Sequence, residues 1–166
     1  MAEALLITRD DLVKLSPLKG GIDPDKYTPF IKMAQDTHLQ AILGTKLLVG
    51  LKTTIENGGE FRSPYDELME YIKPCLVHYS MVEFLPWLAY NASNGGVFKH
   101  NVENATAVEK AELDYLVEKE RDSAEHYGRR LLAYLSENSA SIPEYTKNQD
   151  GQMPPSSDEL FNGWVL

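Results

Sequence analysis

Residues 63–88 read SPYDELMEYIKPCLVHYSMVEFLPWL, and the fold turns on what this stretch is. Its apolar members Leu68, Ile72, Cys75, Leu76, Tyr79, Val82 and Leu85 recur at spacings of three and four, the period of an α-helix. The most apolar part, residues 72–90, is about as long as a membrane span. It also carries Lys73, His78 and Glu83 together with Pro74 and Pro86, which a helix facing lipid tolerates poorly. The segment therefore reads as a helix buried in a protein core. Ser63-Pro64-Tyr65-Asp66 opens it with a capping serine, a first-turn proline and an acidic third position. Pro74 and Pro86 are each expected to kink or split it.

Upstream the helix punctuation is equally legible. Thr8 and Asp11 form a capping box for a short helix over about 9–15, which Ser16-Pro17 and Gly20-Gly21 break. Asp23-Pro24 supplies a second cap and first-turn proline. Pro29 complicates that start, so the helix either begins again with Thr28 as its cap or bends there. Beyond it Phe30, Ile31, Ala34, His38, Ala41 and Ile42 share one face, and Gly44 is placed to end it. A shorter helix over about 46–56 turns Leu47, Leu48, Leu51 and Ile55 inward, and Asn57-Gly58-Gly59 stops it.

Downstream the composition changes. NASNGGVFKHNVENA, residues 91–105, is rich in glycine and asparagine with one β-like piece at Val97 and Phe98, and reads as an extended loop or small hairpin projecting from the helices. Thr106 and Glu109 then box the start of the longest helix, running to about Leu135. Its inward stripe is Leu113, Leu116, Val117, Ala124, Tyr127, Leu131 and Leu135, with Glu120 as the awkward member. Past Glu137 periodicity ends. Residues 136–166 contain Pro143, Pro154 and Pro155 and are acidic, which describes an arm rather than a helix. The expected architecture is all-α: a bundle of four to five helices over 1–138 with a projecting glycine-rich loop or hairpin, and an extended C-terminal arm over 139–166.

Charge and cysteine usage narrow the function. Lysine and arginine number 16 against 25 aspartates and glutamates, a net charge of −9 that repels phosphate backbones and anionic lipid. Tight nucleic-acid binding and membrane association are disfavoured. The single cysteine, Cys75, leaves no internal disulfide or CxxC site and fits a reducing cytoplasm. MAEALLITRDD has no basic n-region and too short an apolar run for a secretory signal, so it reads as mature sequence.

No catalytic signature stands out. Three residues before His38, His78, His100 and His126 lie Gln35, Cys75, Val97 and Ser123, so the Glu-x-x-His pair of a di-iron bundle is missing. Cys75 and His78 share a helical face and could offer two zinc ligands, or a nucleophile and its base, but an apolar run suits packed core residues better. Gly58-Gly59 and Gly95-Gly96 lack the flanks of a phosphate loop or nucleophile elbow and read as turns. No enzyme activity, metal or cofactor is expected. Residues 103–125 hold eight acidic and three basic residues, with Arg129 and Arg130 following. That distribution is an ordinary solvated face running with the helix dipole, or a surface that excludes DNA or meets a basic neighbour.

The stretches ITRDDLVKL, YTPFIKMAQDTHLQAILGTKLLVGL, YDELMEYIKPCLVHYSMVEFLPWL, the Gly-Gly loop with VFK, and HYGRRLLAYLSEN together resemble the head-to-tail connector, or adaptor ring, proteins of tailed phages. In particular they resemble the versions in Bacteroidetes-infecting phages, including the crAss-like group. The resemblance spans about residues 5–138 and is one of helix pattern. It implies a non-enzymatic virion protein of the neck or tail region, assembled in the host cytoplasm. About a dozen copies would form a homo-oligomeric ring between portal and adjacent tail or ring proteins, with DNA only passing through the channel. The alternative is a cytoplasmic helical adaptor or regulator with a single protein partner. A small-molecule or metal enzyme in the bundle ranks third.

Two stretches are the candidate protein interfaces. Gly95, Gly96, Val97, Phe98, Lys99 and His100 form the projecting loop. SSDELFNGWVL, residues 156–166, places Phe161, Trp164, Val165 and Leu166 on a polar, proline-containing tether, where they need cover from a neighbouring subunit or from their own bundle. Fully burying Phe161 and Trp164 would contribute roughly 1.5–3 kcal/mol each before ordering costs.

Overall fold

The structure, a computed structural model, describes residues 4–17, 23–88, 90–93, 96–99, 110–147 and 152–155, the two strand segments by their backbone alone. It is a helical bundle, as the periodicity requires. In chain order come α1 (Arg9–Leu15), α2 (Pro24–Ala34), a π-helical turn (Gln35–Leu39) leading into α3 (Gln40–Leu43), and α4 (Thr45–Glu56). Then follow α5 (Tyr65–Phe84), a 3-10 turn (Leu85–Trp87), strands β1 (Tyr90–Ser93) and β2 (Gly96–Lys99), α6 (Lys110–Glu137) and α7 (Pro143–Thr146).

α5 is the axis of the bundle. It exposes Asp66, Glu67 and Glu70 in its first turns and buries residues more widely from Ile72 through Leu76 and Val77 to Met81 and Phe84. α6, α2 and α1 pack around it. α6 runs antiparallel to it: Tyr134 stacks on Tyr71 at 4.7 Å, Ala124 lies against Cys75, and Glu120 meets His78. Small residues Ala124 and Gly128 let the two helices approach, with Leu131 and Leu135 filling the space beyond.

Several local expectations hold and several change. Thr8 and Asp11 form the reciprocal capping box of α1, and Asp23 caps α2 through the Asp25 amide. Pro29 neither restarts nor interrupts α2, and α5 likewise continues through Pro74. Only Pro86 acts as a stop, falling in the 3-10 turn just beyond α5. The expected Ser63 cap is not formed. Pro64 occupies the cap position, and the first amides of α5 reach the Arg62 carbonyl instead, Tyr65 N at 2.8 Å. Leu116, expected inward, is exposed, whereas Tyr134 and Gly128 are buried. The capping box at Thr106 lies outside the described residues.

The arm expected from residue 139 onward is laid along the bundle for its described length, so the packed unit continues past 138. Ile142 is fully buried in the main core. Glu144 accepts from the Tyr65 hydroxyl at 2.6 Å, and the Lys147 carbonyl accepts from Lys46 Nζ at 3.0 Å. Met153 then pairs with Thr45 through both backbone groups, its N–H donating to Thr45 Oγ1 and its carbonyl accepting from Thr45 N. Gly44 permits this approach. It sits at φ +75°, and a Cβ there would come within 2.8 Å of Pro155 Cδ. The glycine thus ends α3 and clears room for the returning chain.

Candidate protein interface

The hairpin end of the bundle is built by the way α5 stops. Pro86 has no amide to continue the helical ladder, so the chain tightens into the 3-10 turn, which packs against α6 while Leu85 stays in the core. Trp87 and Leu88 are then thrown outward, Trp87 with 56% of its surface exposed. β1 and β2 follow as an antiparallel pair in the register Tyr90↔Lys99, Asn91↔Phe98, Ala92↔Val97 and Ser93↔Gly96. The chain re-enters the bundle as α6, whose first turns expose Tyr115 (61%) and Leu116 (46%) around a shallow apolar depression shared with Ala111 and Glu112. Lys119 lies over the Tyr115 ring at 5.6 Å.

The same end extends to α2. Phe30 lies 5.4 Å from Phe84 and 6.4 Å from Trp87 between ring centroids, half-buried against the core, and Met33, one turn along, is exposed. Large apolar side chains open to solvent on the segments that flank a hairpin have the character of a contact surface.

Of the residues singled out in the sequence, Gly96, Val97, Phe98 and Lys99 form β2, which makes the glycine-rich segment a hairpin. Gly95 and His100 lie outside the described residues, as do Phe161, Trp164, Val165 and Leu166. Trp87, Leu88, Tyr115 and Leu116 were missed because helical period assigns them to one element face or another without saying what covers that face. The signal for Trp87 and Leu88 was their place after Pro86, beyond the last full turn.

Two histidines behave as interhelical bolts. His38 Nε2 meets Glu83 at 2.8 Å while its ring stacks on Tyr79 at 4.2 Å. His78 Nδ1 meets Glu120 at 2.7 Å, both side chains largely covered, with Tyr127 stacked on the ring at 5.3 Å. Glu120, the misfit of its stripe, is thereby explained: its carboxylate faces inward because a histidine is waiting there. Cys75 and His78 do not converge on a common point, since the thiol faces the Ala124 carbonyl at 4.0 Å. Burial pushes the Cys75 thiol up to about 12, away from the thiolate that a nucleophile or a zinc ligand requires. Among the described residues no group of three or more His, Cys, Asp and Glu side chains is arranged to hold a metal ion, and no helix is long and apolar enough to cross a membrane.

The molecule is therefore an all-α bundle with a hairpin between α5 and α6 and exposed apolar side chains on the described segments that flank it. A family of unknown function, DUF6712, matches residues 39–154, well over half the chain, and the chain belongs to that family. No curated protein and no solved structure matches it.

Proposed function

We propose that the chain is a structural, non-enzymatic subunit of a phage particle, forming an oligomeric ring between portal and tail through which DNA passes. The observation that carries this reading is the exposure of Trp87, Leu88, Tyr115 and Leu116 on the segments that flank a hairpin. A monomer gains nothing from leaving these uncovered, and a neighbouring copy in a ring would bury them by a head-to-tail contact. The helix pattern's resemblance to connector proteins supports the same reading. So does the charge of −9, since a conduit that attracted phosphate would retain DNA rather than pass it.

Native mass spectrometry of the purified protein, followed by electron microscopy alone and with a portal protein, tests the proposal. A closed ring of about a dozen copies that docks coaxially on the portal is the expected result. A monomer or dimer at all concentrations, with no portal binding, overturns it in favour of the single-partner adaptor.

A further inference from the structure

Away from the hairpin end, a cleft of about 360 Å³ lies between α4, the 60–65 turn and α7. Its wall is made by Leu47, Gly50, Leu51, Thr54, Phe61 and Tyr65, and its lining is completed by the polar Glu60, Arg62, Ser63 and Glu144. Gly50 is in the middle of α4, and a Cβ built on it meets nothing within 4 Å. Glycine inside a helix costs stability relative to alanine. Neither a turn nor a described neighbour asks for it here, so the bare backbone over Gly50 leaves room for something that lies close to the helix.

The described chain leads to this cleft. Met153 is tied to Thr45 at the start of α4, and Pro155 rests on Gly44. From Pro155 to Phe161 the chain spans at most about 20 Å, whereas Thr45 and Leu51 are separated by roughly 9 Å along the helix axis. The sequence that follows Pro155 brings Leu160, Phe161, Trp164, Val165 and Leu166, the apolar side chains the cleft wall can cover.

We infer that residues 156–166 of the same chain lie along α4 and seat Phe161 and Trp164 in this cleft, over Gly50. Docking in cis is favoured over docking by a second copy because the tether holds the segment at high effective concentration beside its seat. Phe161 and Trp164 would then belong to the subunit's own fold. The inference does not depend on the ring reading, which rests on the opposite, hairpin end.

The test uses the full-length chain. Trp87→Phe leaves Trp164 as the sole tryptophan. Its emission should be blue-shifted and its acrylamide quenching several-fold below that of free tryptophan, unchanged on dilution by orders of magnitude. Adding Gly50→Leu, at a position where an added Cβ meets no atom within 4 Å, should shift the emission to the red and raise quenching several-fold while helix content is retained. Solvent-like emission from the Trp87→Phe chain overturns the inference, as does indifference to Gly50→Leu or burial lost on dilution. As a second measurement, Thr54→Cys with Asn162→Cys, which keeps both Phe161 and Trp164, should oxidise to a disulfide within one chain, the buried Cys75 taking no part. No disulfide, or one linking two chains, is the opposing result.

Discussion

Gln35 holds the N-terminal segment with both ends of its amide: Oε1 accepts from Leu6 N at 3.0 Å and Nε2 donates to the Ala4 carbonyl at 3.2 Å. The side chain is wholly buried, and the segment it grips buries Ala4, Leu6 and Ile7. Gln35→Leu should therefore leave two buried backbone groups without partners and cost about 1–3 kcal/mol, read as a lower urea midpoint with unchanged slope. Gln35 was visible in the sequence as a polar residue in phase with Ile31. Its partners were not, because they are backbone groups about thirty positions away that leave no mark on side-chain pattern. Asp11 joins local to tertiary structure in a different way, capping Thr8 and reaching Lys73 of α5 at 3.0 Å. Burial alone raises its pKa, but the Thr8 amide and the Lys73 ammonium outweigh that and hold it below the ordinary 3.8. A depressed carboxyl pKa contributes stability above the unfolded value and loses it as pH falls through the folded one. Asp11→Ala should thus cost about 1 kcal/mol at neutral pH, and the gap to the native protein should narrow at about pH 3. Denaturant titrations at both pH values check it, and a gap that widened in acid would contradict the assignment.

At the scale of elements, what the sequence revealed depended on whether the deciding signal was local. Periodicity and punctuation located α1, α2, α4, α5, α6 and the hairpin, because apolar spacing, the Thr8 and Asp23 caps and the Gly44 stop act within a turn or two of themselves. Pro29 does not restart α2 and Pro74 does not split α5: proline removes one bond of the ladder, and the helix on either side holds together around the loss. The arm was under-read for the converse reason. Ile142 is a lone apolar residue between a polar 3-10 turn and Pro143, with no period to announce it, yet it is as buried as Leu131. Ile142→Ala should accordingly cost about 2–5 kcal/mol, as a core truncation does. A loose arm would give a change within about 0.5 kcal/mol. Thermal or urea unfolding separates the two outcomes, and it also decides whether 139–147 belongs to the folding unit.

For the molecule as a whole, the two ends of the bundle pose different problems. The α4 end has a cleft with chain returning to it, whereas the hairpin end presents Trp87, Leu88, Tyr115 and Leu116 to solvent. If that end is the contact between ring subunits, its energy is concentrated in the aromatic anchors, since truncating a central aromatic commonly removes 2 kcal/mol or more of binding. Trp87→Ser combined with Tyr115→Ser should then abolish the oligomer in native mass spectra. The unfolding midpoint of the monomer should move little, because neither ring is enclosed by its own subunit. The contact is apolar, so raising salt should leave the assembly intact, and at −9 per copy screening should if anything tighten it. An oligomer that survives both substitutions, or dissolves in salt, would place the contact elsewhere. The acidic outer face of α6 would be the next surface to mutate.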